Sequence, residues 1–173
     1  HGEVAELIDK KACAIFDKLI FQNYAQCDQM FAVLLFIEWL GGVLTALLVS
    51  PNSWEGVSSN THIHVILSIW LGMAIIVLPI ALAWFNSGTA MTRQTIAVAQ
   101  ILMAALIIHL TGGRLETHFL IFGSLTFLAF YADWKVLVTA TVLSAIDHIL
   151  RGLYLPLSVY GVTYAEPWRW VEH

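Results

Sequence analysis

Five apolar runs, each close to the length a helix needs to cross hydrocarbon, constrain this 173-residue chain more than any other feature. A bilayer core of about 30 Å takes roughly 20 apolar residues in a helix. The runs extend from Met30 to Val49, from His62–His64 to Phe85, from Thr92 to Leu110, from Leu115 to Tyr131, and from Lys135 to Tyr160. Between them stand Ser50-Pro51-Asn52-Ser53, Asn86-Ser87-Gly88, Gly112-Gly113 and Asp133-Trp134-Lys135, all clusters that stop helices. Pro79 predicts a kink in the second run, and Pro156 interrupts the fifth. With 59% hydrophobic and 12% charged residues, the chain is far more apolar than soluble domains, which run near ~45–50% and ~25%. A water-soluble globule is excluded, and the expected fold is an all-α integral membrane bundle of five spans.

Residues 1–28 form a separate expected unit. Val4, Leu7, Ile8, Ala12, Ile15, Leu19 and Ile20 recur at helical spacing while charged residues fill the other positions, the pattern of an amphipathic helix on the membrane surface or against a neighbour. It is too charged for a signal peptide. Residues 29–164 make up the bundle, and residues 165–173 an interfacial tail rich in tryptophan. Placing the N-terminus in the cytoplasm puts Lys10, Lys11, Lys18, Arg93 and Lys135 inside and Arg114 outside. The chain then leaves the fifth span on the outer face, which predicts a sixth span after His173. The expected location is a bacterial inner membrane.

The net charge of −4, with no basic run, excludes nucleic acid as a partner. Cys13 and Cys27 are too few and too far apart for a metal knuckle or a disulfide framework.

Ionisable groups inside a membrane are functional suspects by default. In this topology His62 and His64 open the second helix from the outer side, His109 ends the third there, and His118 begins the fourth there. His148 lies well into the fifth helix, ~20 Å from its cytoplasmic start at about 1.5 Å per residue. With His173 on the tail, these histidines share one layer, which also holds Arg114, Glu116, Asp147 and Arg151. Reversing the topology moves them all together. Ser144, Asp147, His148 and Arg151 are three and four apart and share a helix face. Asp147 is a candidate for orienting His148, and Arg151 for pairing with Glu116 or with an acidic ligand.

Imidazole is a common ligand for zinc, copper, iron and haem iron. The expected metal ligands are therefore His64, His109, His118 and His148, with His62 and His173 as secondary candidates and Glu116, Asp147, Arg151 and Arg114 supporting them. The plainer alternative is interfacial histidines, solvated at His62 and bonded to carbonyls near Gly112-Gly113 at His109 and His118. No HExxH, CxxCH or Cys/His cluster is present.

Glu38 and Gln100 lie off this layer, and Glu38 is expected to be protonated or paired with Trp39 or Gln100. Gly41, Gly42, Ala46, Gly72 and Ala74 suggest close helix contacts, and Trp70, Trp84 and Trp134 suggest interface anchors.

The stretches His109-Leu110-Thr111-Gly112-Gly113-Arg114-Leu115-Glu116-Thr117-His118-Phe119, Phe127 to Leu137, and Asp147-His148-Ile149-Leu150-Arg151-Gly152 carry a resemblance. The chain resembles the N-terminal multi-helix membrane sensor modules of bacterial signalling proteins, which precede histidine kinase, diguanylate cyclase or chemoreceptor-type output domains. The likeness covers most of residues 29–173. Such modules commonly read Glu-x-His-Phe-His at the start of the fourth helix; Glu116, His118 and Phe119 match, but Leu120 replaces the last histidine. The resemblance implies a further span after Glu172-His173 and a cytoplasmic output domain in the same chain.

The expected function is thus a sensory input module in the lipid bilayer, non-enzymatic in this segment and homodimeric. It would bind haem b by first preference, or copper, zinc or iron, and act on the output domain through helix packing. A small transporter or a subunit of a larger membrane assembly, with histidines serving protons or lipid headgroups, is the alternative. A membrane enzyme acting on a lipid or quinone is a third reading, with no nucleophile beside a base to support it.

Overall fold

A computed structural model describes residues 2–55, 58–162 and 166. Among the described residues the fold is helical apart from one small hairpin. Helix α1 (Gly2–Val49) is followed by strands β1 (Asn52–Glu55) and β2 (Ser58–Thr61), then α2 (Ile63–Phe85), α3 (Ala90–Leu110), α4 (Leu115–Leu128), α5 (Trp134–Tyr154) and α6 (Pro156–Tyr160). A 3₁₀ turn, Ala129–Tyr131, extends α4. The strands pair antiparallel, Asn52 opposite Thr61 and Glu55 opposite Ser58, a feature absent from the sequence expectation.

Helices α1, α2, α3 and α5 are long and apolar enough to cross a membrane, and the Leu115–Tyr131 segment is shorter. The expected amphipathic unit and first span are one continuous helix of 48 residues, ~72 Å long at about 1.5 Å per residue. No glycine or proline lies between Glu3 and Leu40 to break it. The described side chains from Glu3 to Leu19 are exposed, so this part projects from the bundle as a stalk. The fifth run divides before Pro156 because a residue preceding proline disfavours the helical conformation; Leu155 has φ −138° and ψ 56°. The expected tail, His173 included, lies outside the described residues except for Glu166.

Helix α3 is the axis of the bundle. Its Ile96, Ala97, Ile101, Ala104 and Ile108 pack with Phe31 of α1, with Leu128 and Tyr131, and with Val136 and Ala140 of α5. Its Ala99, Met103, Leu106 and Leu110 pack with Leu35 and Ala46 of α1 and Val65 and Ile76 of α2. Alanines at these positions let neighbouring helices approach closely, as membrane interfaces require. Gly72 serves the same end, since a Cβ there would meet Trp39 Cδ1 at 2.6 Å. Gly42 faces Ile107 and Leu110, whereas Gly41 faces open space. Trp70, Trp84 and Trp134 are exposed, as anchors at a membrane–water boundary would be.

Where the stalk enters the bundle, a polar network ties α1 to two connections. Asp28, fully buried, accepts from the Gly88 amide at 2.6 Å and from the Tyr131 hydroxyl at 2.7 Å. Arg93 Nε donates to Asp133 at 2.7 Å, and its guanidinium lies 4.2 Å from the Tyr24 ring centroid. The histidines occupy the opposite end.

Candidate metal centre at the histidine end

Each helix start and stop at this end contributes to the site. Helix α2 begins because His62 Nδ1 accepts from the His64 amide at 3.1 Å, an N-cap made by imidazole. Helix α3 ends at Thr111, whose hydroxyl bonds the Ile107 and Ile108 carbonyls, before Gly112 and Gly113 turn the chain with positive φ. A Cβ on Gly113 would lie 2.6 Å from the Val159 carbonyl carbon and oxygen, so glycine there lets the α6 segment close over the end of α3.

Two groups of imidazoles result. In the first, His64 lies between His62 and His109, with ring centroids 4.4 and 5.1 Å away. His64 and His109 border a cavity of about 390 Å³ whose other wall is Tyr154 to Ser158. His64 Nδ1 is buried and has no hydrogen-bond partner. In the second group His118 on α4 and His148 on α5 meet edge to face, with centroids 5.5 Å apart and planes at 74°. They border a cavity of about 270 Å³ with Ile121, Phe122, Leu125, Thr141, Ser144 and Ala145.

The His118–His148 pair has a defined chemistry. His118 Nδ1 donates to the Arg114 carbonyl at 2.9 Å, and His148 Nδ1 donates to the Ser144 carbonyl at 3.1 Å. Both partners stand four residues back, so each ring shares a carbonyl that also serves the helix's own backbone bonding. With Nδ1 carrying the proton, Nε2 is the basic nitrogen on each ring. Donation of the other ring N–H to a carbonyl is the arrangement that orients metal-binding histidines.

The supporting residues differ from expectation. Arg151 pairs with Asp147, one turn away, rather than with Glu116: Nε donates to Oδ1 at 2.7 Å, and Nη2 meets Oδ2 in a second short contact. Its Nη1 donates to the Ala105 carbonyl at 3.1 Å, locking α5 to α3. The i,i+4 geometry supplies this bidentate pair without bringing α4 closer. Asp147 also lies 3.5 Å from His148 Nδ1. Glu116 and Arg114 are exposed; Arg114 contributes through its carbonyl.

Among the described residues, no three His, Cys, Asp or Glu side chains converge on one metal position. The four expected ligands thus form two pairs rather than a single four-helix site.

At mid-bundle, Gln100 Nε2 donates to Glu38 at 2.5 Å and to Ser124 Oγ at 3.2 Å. Glu38 Oε2 and Gln100 Oε1 are buried without partners. Trp39 instead donates to the Ser68 and Ile69 carbonyls. Of the two partners expected for Glu38, Gln100 is the one it meets; Ser124, Tyr131 and Asp28 as partners, and the Arg114 and Ser144 carbonyls as acceptors for His118 and His148, were not anticipated.

Comparison with family models, with curated proteins and with solved structures returns no match.

Proposed function

We propose that this chain is a membrane-embedded sensory input module that binds a transition-metal ion through His118 and His148. The observation that supports the reading is the matched pair of Nδ1–carbonyl bonds on two adjacent rings that border one cavity, a pattern that leaves Nε2 as the basic nitrogen of each. Two neutral imidazoles suit copper or zinc and leave further positions for external ligands. Asp147 neutralises Arg151 nearby, which limits repulsion of a cation. Bound metal would favour the packing of α4 against α5 that brings the nitrogens together, and α5 is locked to α3 through Arg151. Such a shift would run along the bundle toward the stalk end, which the proposed topology puts in the cytoplasm beside an output domain in the same chain. The test is metal content after loading the purified full chain with Cu(I) or Zn(II). Wild type should retain metal and the His118→Ala/His148→Ala variant should not; equal retention by both would refute the assignment.

A second reading, a small transporter or assembly subunit, draws on the Glu38–Gln100–Ser124 cluster, a buried carboxyl group at mid-depth of the kind that proton-handling proteins use. A proton flux in vesicles lost in Glu38→Gln would favour it.

A further inference from the structure

The geometry points to α1 as a continuous pairing surface for a second copy of this chain, parallel and in register, from the stalk into the membrane. In the stalk, Ile8, Ala12, Ile15 and Leu19 follow the alternating four–three spacing of a heptad seam, and all are exposed. Continuing that spacing reaches Gln22, Gln26 and Gln29, exposed where the helix enters the bundle. The same phase then meets Val33, Phe36, Leu40 and Leu47, which are 47–57% exposed. Only Val43 on the seam is half-buried.

The bundle uses a different side of the helix. Cys27, Asp28, Phe31, Leu35 and Ala46 are buried against α2, α3 and the 3₁₀ turn, so the seam remains open when the bundle is formed. Lipid alone accounts for apolar residues around Val33 to Leu47, but not for the stalk. The stalk is collinear with its span and cannot lie flat on the membrane. Its four acidic residues, Glu3, Glu6, Asp9 and Asp17, outnumber Lys10, Lys11 and Lys18, so anionic headgroups do not attract it.

A second α1 would cover the seam, while Leu7, Phe16 and Phe21, also exposed, lie off it. Charged stalk residues avoid the seam, and Glu6 and Lys10 pair with each other on the outer side at 2.7 Å. Parallel pairing puts identical layers side by side, with Ile8 and Ile15 meeting their counterparts in the dry core. Three successive glutamine layers meet amide to amide, and polar layers of this kind fix register at some cost in stability. A straight helix drifts about 20° per heptad from such a seam, which a left-handed supercoil corrects. The surface is independent of the metal centre at the other end.

The test is disulfide trapping of the full chain in native membranes, in a Cys13→Ser background. Seam variants Ala12→Cys, Ile15→Cys and Val33→Cys should form covalent dimers under mild oxidation. The outward variant Lys10→Cys, and native Cys13 in the unaltered chain, should do so several-fold less. Equal trapping at seam and outward positions, or no trapping at the seam, would overturn the inference. Trapping at Ala12 and Ile15 without trapping at Val33 would overturn a seam continuous through the membrane.

Discussion

The Asp28 carboxylate and the Tyr131 hydroxyl, 103 positions apart in the chain, meet at 2.7 Å at the base of the stalk. Tyr131 is fully buried and stacks on Phe31, with centroids 5.4 Å apart, so the bond is held by packing on both sides. It joins the longest helix to the turn that precedes α5.

Removing one hydrogen bond to a buried charged group costs about 2 kcal/mol. Tyr131→Phe should therefore lower the stability of the purified chain by about that amount in a denaturation series. Asp28→Ala should cost more, because the Gly88 amide and the Tyr131 hydroxyl both lose their acceptor. An unchanged transition in both variants would show that the network does not hold the stalk to the bundle.

Metal binding should depend on pH. Ligation needs Nε2 unprotonated, so acidification should release the ion. Single variants His118→Ala and His148→Ala should each weaken retention at least tenfold, while His62→Ala should affect helix stability more than metal, since its Nδ1 caps α2. Isothermal titration with Zn(II) at two pH values reads both effects.

Glu38→Gln should be tolerated. It keeps an acceptor for Gln100 Nε2 at nearly the same volume. Glu38→Leu removes the acceptor and should cost about 1–2 kcal/mol, partly offset by the remaining Ser124 bond. Thermal unfolding in detergent distinguishes the two; similar losses would indicate that the carboxyl group itself is required.

Gly113→Ala should disrupt the histidine end. Its φ of +71° is strained for alanine, and the added Cβ would meet the Val159 carbonyl at 2.6 Å. The expected loss is at least about 2 kcal/mol. Gly112→Ala, with similar φ but open space around it, should be milder. Comparing the two isolates the close approach of the α6 segment from the backbone conformation.

The helical elements were largely legible because each long apolar run between Gly, Pro or Asn punctuation has one stable form in hydrocarbon. Boundaries at Phe85, Leu110 and Leu115 follow from those signals, and the short hairpin from Asn52 to Thr61 does not, since polar residues there carry no strand alternation. Helix α1 runs on through the expected boundary near residue 29 because no glycine or proline between Glu3 and Leu40 interrupts its backbone hydrogen bonds.

The sequence by itself determined that the chain is a helical bundle with several helices fit for a bilayer, because backbone hydrogen bonds in hydrocarbon must be satisfied within each helix. It also put His62, His64, His109, His118 and His148 toward one end of the bundle. Only the tertiary structure decided which imidazoles meet, that Arg151 takes Asp147 rather than Glu116, and that Gln100 joins Glu38 to Ser124. Depth along a helix follows from counting residues. Which face turns toward which neighbour depends on the packing of small and large side chains around α3, and that is a property of the assembled bundle.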